Sequence, residues 1–429
     1  MTAHFISNIF VENLWHERSI NLALYEDVNV IIGPNASGKT TIINLLMLAL
    51  TGNIVRLVDY DFDSLQITLT PFSKGADLLI KVTKFEEHIR FDIGDRNVLF
   101  PQLPGTITSG RSGMTDVRAA EFMRRRLANE LSELRAQLEG LVPAAWLPVN
   151  RRLPFGDGDD DERMRGRRGV LESVDECLSE LLNGLKLYRV SLDTHLSDLR
   201  KVFQKHALEN ILYDERHDSI ADVTNVQAPT QNQKKQLLKA FHDVGFVDSA
   251  MENRIDAHFK AAQEATEQIK RDPNRLRLED LYIIPLIYRT KQMVGFAQDL
   301  ETKRQRLFAP LNLYTKTVSD FLIGKLIDVN STGELVIRKV DDSKEDIALR
   351  HLSSGEKQLL ILLTQALLWE RNPVVYVADE PELSLHVTWQ EKLLKSITSL
   401  AGRCQIIVAT HSPDIAGGFP NRIIDLSRL

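Results

Sequence analysis

The stretch Gly33-Pro34-Asn35-Ala36-Ser37-Gly38-Lys39-Thr40, followed by Thr41, decides how this chain is read. It matches G-x-x-x-x-G-K-[ST], and its flanks supply the context that pattern requires. Before it, Val28–Ile32 is a β-branched run suited to a buried strand. After it, residues 40–50 are helical in character. Gly33 and Gly38 let the backbone curl so that successive N–H groups point inward at an anion. The helix start adds its positive end. Lys39 would bring a cation to the β- and γ-phosphates of a nucleotide, and the Thr40 hydroxyl an oxygen for Mg²⁺. The competing reading, a glycine turn that merely caps a helix, is outweighed by the strand–loop–helix context.

Three further segments fit the same chemistry. Val374-Val375-Tyr376-Val377-Ala378-Asp379-Glu380 is a buried strand ending in two carboxylates. Asp379 could hold Mg²⁺, and Glu380 could orient or deprotonate an attacking water. Leu352-Ser353-Ser354-Gly355-Glu356-Lys357-Gln358 precedes an apolar helix and offers an N-cap and a second anion-binding turn. Ile406-Ile407-Val408-Ala409-Thr410-His411-Ser412-Pro413 is a second buried strand, and its terminal His411 could face a γ-phosphate. Taken singly, the last three read equally well as an acidic turn, an ordinary N-cap and a structural histidine.

Together and in this order, the four segments resemble the Walker A, signature, Walker B and H-loop motifs of ABC-type ATPases. The wording LSSGEKQ, VADEPELSLH and ATHSP is similar to the SMC-like branch and the related OLD-type AAA15/AAA21 ATPases. The resemblance implies an α/β fold: an ABC-type ATPase head (P-loop NTPase) split by a helical, partly coiled-coil insertion. It covers residues 1–105 and 311–429, and touches the middle only weakly at 146–151. It implies ATP and Mg²⁺ as cofactors. Gly33 through Thr41 would bind the nucleotide, Thr40 and Asp379 the metal, and Lys39, Glu380 and His411 would carry catalysis. Ser353 and Gly355 would reach the nucleotide of a second, head-to-tail copy, and Ser384-Leu385-His386 would cross that interface as the D-loop. The Q-loop glutamine stays open between Gln66 and Gln102.

The rest of the chain is organised around that head. Residues 1–110 read as strands with one helix, including residues 67–69, 78–82 and His88–Ile93. From residue 111 to 310 the texture is helical. Leu127, Leu131, Leu134, Leu138 and Leu141 form one heptad stripe. Leu178, Leu182, Leu185, Arg189, Leu192, Leu196, Leu199 and Phe203 form another. The two stripes fit either an ordinary bundle or a short antiparallel coiled coil. Residues 145–151 suggest a strand returning to the head, and residues 154–169, with five acids and four arginines, read as a loop. Helices are expected over Gln231–Val244, Ser249–Arg271 and 276–307, the last broken near Pro285. From 311 to 429 the α/β texture returns, with Ser331-Thr332-Gly333 as a hairpin turn.

Composition bounds the answer. The 429 residues carry 53 basic and 59 acidic side chains, a net charge of −6, with 43% hydrophobic and 26% charged residues. These are globular values, and the charge argues against a protein that coats nucleic acid by charge alone. Two cysteines, Cys177 and Cys404, make neither a disulfide framework nor a thiolate metal site and fit a reducing cytoplasm. No signal peptide and no apolar run of ~20 residues is present, so no membrane role is expected.

The insertion is too long for a transporter ATPase and too short for a long SMC arm. Eighteen residues follow His411, which predicts no effector domain after the head. That combination resembles the ATPase subunits of two-gene bacterial anti-phage systems, with the PARIS type preferred and the Septu type second. The resemblance implies a multimeric sensor that holds a separate nuclease, TOPRIM-like or alternatively HNH, and answers a phage trigger protein such as a DNA mimic. The arginines at 124–126 and at 163, 165, 167 and 168 could receive such a partner or nucleic acid, or form a solvated face balanced by the ten acids of residues 111–168. A DNA-binding SMC-like repair or processing ATPase is the alternative.

Overall fold

The computed structural model describes residues 4–94, 96–101, 117–146, 171–212, 227–245, 248–271, 278–340, 346–369, 374–383 and 385–428. By internal contacts these fall into two compact units. One comprises residues 1–185, 313–330 and 334–429; the other comprises 186–312 and 331–333.

The first unit is an α/β head with two main sheets. A six-stranded antiparallel sheet has the order β2-β1-β4-β5-β6-β7, from β1 (His4–Leu14), β2 (Arg18–Ala23), β4 (Ser64–Pro71), β5 (Leu78–Lys84), β6 (His88–Ile93) and β7 (Arg96–Pro101). A five-stranded sheet has the order β13-β3-β12-β11-β8, from β3 (Val28–Ile32), β8 (Ala144–Trp146), β11 (Val374–Asp379), β12 (Cys404–Ala409) and β13 (Ile423–Asp425). All its pairings are parallel. Parallel strands covered on both faces read as continuous β-branched runs, and β3 and β12 do so. Buried Gln405 ties the two sheets: its amide donates to the Ile6 and Tyr25 carbonyls at 2.7 Å each, and its Oε1 accepts from the Ile6 N–H at 2.8 Å.

Helix α1 (Lys39–Leu50) lies in the core with nine buried residues. The Leu127–Leu141 stripe lies on α3 (Val117–Leu141), which follows the one-turn α2 (Ile54–Leu57). Its Leu134 and Leu138 are buried in the head core, where Gly52 at the end of α1 sits beside Arg135 and Leu138. Leu131 and Leu141 pack against the same core, so this part of the leucine stripe faces the head. Strand β8 does return to the head, pairing Ala144 with Val375. A two-stranded hairpin of β9 (Lys325–Val329) and β10 (Leu335–Lys339) follows the expected turn.

The second unit is helical. Residues of α4 (Leu171–Glu209), α5 (Gln231–Val244), α6 (Ser249–Arg271) and α7 (Leu278–Phe321) build it. Phe203, Leu237, Ile255, Phe259, Val294 and Leu300 form its main core, and Ala262, Ile269, Ile284 and Ile287 a second. Helix α5 begins with a Thr230/Gln233 capping box and ends at left-handed Gly245. The expected break at Pro285 does not occur: α7 runs uninterrupted for 44 residues through Pro285 and Pro310. A helix-interior proline costs about 3 kcal/mol. Burial of Ile284, Ile287, Val294 and Ala297 on the same helix offsets it at Pro285. Among the described residues no helix is long and apolar enough to cross a membrane. Residues 147–151, the acidic–arginine loop, Gln102 and Ser384 lie outside the described residues.

Candidate functional site

The glycine-containing loop leaves β3 and enters α1 with a conformation only part of its sequence favours. Gly38 takes φ +94°, and a Cβ there would meet the Trp15 ring at 3.0 Å. Ala36 is also left-handed at φ +61°. For an L-residue this costs roughly 1–2 kcal/mol, a strain that persists only where surroundings impose it. The loop is braced by Arg18, whose Nη2 donates to the Ser37 carbonyl at 2.5 Å while its guanidinium lies over Trp15 at 5.6 Å. Trp15 and His16 turn the β1–β2 hairpin with φ +57° and +59°.

A cleft of about 580 Å³ opens over this loop, lined by Asn35 through Thr41, Trp15, Glu17, Glu380 and His411. The strand ends that carry the last two come together because β11 and β12 are parallel neighbours. Lys39 is 5% exposed, and its ammonium donates to the carbonyls of Gly33 at 2.8 Å and Pro34 at 3.0 Å. Glu380 sits at φ +51°, its N–H donating to the Ala409 carbonyl at 2.7 Å. His411 Nε2 lies 3.8 Å from Glu380 Oε1.

Asp379 ends β11, next to Glu380. Burial pushes its carboxyl above the usual range; the Thr40 hydroxyl, Lys39 and His411 offset this in part, while Glu380 adds to it. Its Oδ1 is buried without a hydrogen-bond partner. An orphaned carboxylate oxygen beside a threonine hydroxyl is a hard-oxygen donor set that fits Mg²⁺. Among the described residues no cluster of three His, Cys, Asp or Glu forms a protein-only metal cage. A cation here would therefore share its coordination with phosphates and water, as Mg²⁺ commonly does.

The signature segment stands apart from the cleft lining. Ser353 caps α8 (Ser354–Leu368) in a closed box: Glu356 N–H donates to Ser353 Oγ at 3.2 Å, and Ser353 N–H to Glu356 Oε2 at 2.9 Å. Glu356 also pairs with Lys325 on β9. Lys357 pairs with Asp175 on α4 at 2.7 Å. Gly355 is buried in the first turn. His386 caps α9 (Val387–Ala401), accepting from the Thr388 N–H at 3.3 Å. Gln66 lies within β4, paired with Phe10 and Lys81, and does not line the cleft.

A model of the AAA ATPase domain family (AAA_15) matches residues 5–416. The chain belongs to that family. It is an ATPase, and the α/β head is a P-loop nucleotide-binding fold. Over 425 residues it is 20% identical to the "Retron Ec83 probable ATPase" of Escherichia coli, covering 96% of this chain and 69% of that protein. Among solved structures, an Smc head domain with an extended coiled coil, bound to the C-terminal domain of ScpA, from Pyrococcus furiosus covers 97% of this chain and 92% of its own at 11% identity, with a TM-score of 0.41. The Smc head with a coiled coil and joint from Pyrococcus yayanosii covers 98% and 95% at 14% identity, with a TM-score of 0.42.

Residue-level reasoning from the sequence missed Trp15, Glu17 and Arg18. Their signal was faint: a bulky aromatic and a cation at the tip of an N-terminal hairpin.

Proposed function

We propose that this ATPase is the sensor and scaffold subunit of an anti-phage complex, working with a separate nuclease effector. The observation that carries the nucleotide chemistry is the single cleft that gathers the Lys39 loop, Glu380 and His411. In this reading the loop N–H groups and Lys39 hold the phosphates. Thr40 and Asp379 hold Mg²⁺, which would neutralise phosphate charge. Glu380 orients the attacking water, and His411 faces the γ-phosphate. Ser353 and Gly355 serve a second copy's nucleotide, giving a head-to-tail pair. In functional terms we take the head as residues 1–110 and 311–429 and the insertion as 111–310, with α3 and β8 of the insertion packing onto the head.

What favours a defence role is the motif wording, together with likeness to a retron's ATPase across nearly the whole chain. The effector is a TOPRIM-like or HNH nuclease on another chain, and the trigger is a phage protein. The test is affinity purification of the chain from cells carrying its natural neighbourhood, with plating of phage on parent and Lys39→Ala cells. Co-purification of a neighbouring gene product and loss of protection in the variant support the reading. DNA-stimulated turnover with a steep salt dependence and no protein partner would overturn it in favour of a DNA-processing ATPase.

A further inference from the structure

The turn after β11 carries a third carboxylate that the motif roles leave unused. Glu382 is 9% exposed. Its Oε1 accepts from three consecutive residues at the end of β12: the Thr410 hydroxyl, the His411 N–H at 3.2 Å and the Ser412 N–H at 3.2 Å. Bonds to an ionised acceptor are roughly twice as strong as neutral ones. The same turn has weaker supports, Ser412 N–H to Thr410 Oγ1 at 2.8 Å and Ser412 Oγ to Gln390 Oε1 at 2.7 Å. On its own side Glu382 is fixed by its carbonyl, which accepts from the Leu385 N–H at 2.9 Å. Beyond the Glu380 N–H bond to the Ala409 carbonyl, this buried side chain ties the turn that follows Glu380 to the turn that bears His411. Glu382 itself does not line the nucleotide cleft.

We infer that Glu382 is a positioning residue for ATP hydrolysis, holding the His411 turn in register with Glu380 without contacting nucleotide. This rests on Glu380 and His411 being the hydrolytic pair. A misplacement of about 1 Å can cost about 10²-fold in rate. Glu382→Ala should thus lower kcat by about 10²-fold while KM and ATP affinity stay within about threefold. Glu382→Gln keeps an oxygen for the three donors and should recover kcat to within about tenfold of the parent.

The experiment is steady-state phosphate release and equilibrium ATP binding on the full chain for Glu382→Ala, Glu382→Gln, His411→Ala and the Glu382→Ala/His411→Ala double variant. The inference expects the double variant to be no slower than His411→Ala alone. If His411→Ala is slow but Glu382→Ala is normal, or the two losses multiply, the inference is overturned and the site reading stands. If His411→Ala is as fast as the parent, both fall. A loss of ATP affinity parallel to the loss of kcat also overturns it, since that marks a general structural role. Should Glu382→Ala fail to fold, Thr410→Val removes the hydroxyl donor from the same link and is read against the same criteria.

Discussion

Lys39→Ala isolates the electrostatic part of nucleotide binding. The ammonium is held by two hydrogen bonds, to the Gly33 and Pro34 carbonyls. To grip a phosphate it must exchange these for bonds to charged oxygens. A hydrogen bond to a charged group contributes about 1.5–3 kcal/mol. Taking the lower figure for each of two bonds, because the carbonyls are given up, leaves about 3 kcal/mol. At 1.4 kcal/mol per factor of ten, that is about 10²-fold in Kd. Pro34 is exposed and Gly33 half-buried, so water can replace the ammonium at the freed carbonyls and the unliganded variant should lose under about 1 kcal/mol. Titration calorimetry with ATP, beside thermal melting, reads both quantities, and Lys39→Met controls for packing of the stem. An ATP affinity within about threefold of the parent would refute the assignment. So would a fall in melting temperature that accounts for the binding loss, because Lys39 would then be a clip for its own loop.

Glu380→Gln should trap a closed, ATP-bound dimer visible by light scattering, with turnover down by about 10²-fold; unchanged turnover removes Glu380 from its role. Ser353→Arg mixed with parent protein should depress turnover more steeply than dilution, and a linear mixing curve would sink the shared site. In the helical unit, Arg304 holds the Glu301 carboxyl down at about 2 against an ordinary 4.5, with burial opposing and Lys239 and Gln305 assisting. A depressed carboxyl stabilises the fold above its ordinary value and loses that contribution as pH falls towards about 2. Glu301→Gln should therefore flatten the decline in melting temperature between pH about 4.5 and 2; equal slopes in parent and variant would contradict this.

The nucleotide loop was legible because its chemistry is local: two glycines, a lysine and a threonine between a strand and a helix state their purpose within a dozen residues. Asp379 and Glu380 were legible once that loop fixed the context. The leucine stripe at 127–141 was only half legible. Periodicity reports that one helix face is buried, not what covers it, and here the cover includes the end of α1. Pro285 was misread for a related reason, since a local penalty of about 3 kcal/mol gives way when neighbouring turns bury large aliphatics. The β1–β2 hairpin was illegible because β1 carries two register shifts that break its alternation. Glu382 was illegible because its partners lie 28 to 30 residues onward.

The carboxylates of the head show why residue type alone does not assign role. Asp379, its Oδ1 buried and unpartnered, is suited to hold a cation. Glu380 reaches into the cleft, whereas Glu382, two positions on, gives its Oε1 to the Thr410 hydroxyl and two backbone N–H groups and leaves its Oε2 buried without a hydrogen-bond partner. Glu356 belongs with Glu382. Burial would raise its carboxyl, but Lys325 and the Ser353 N–H outweigh that and hold it below the usual range. A charged Glu356 keeps the capping box closed, and in that box Ser353 Oγ is the acceptor. The Ser353 side chain also hydrogen-bonds the Glu356 carboxylate, which holds it in place. A hydroxyl held in place at a helix start, with helix N–H groups beside it, suits a phosphate arriving from a second copy. By this argument Glu356→Ala should weaken the action of Ser353 on the partner's nucleotide while leaving this chain's own cleft intact.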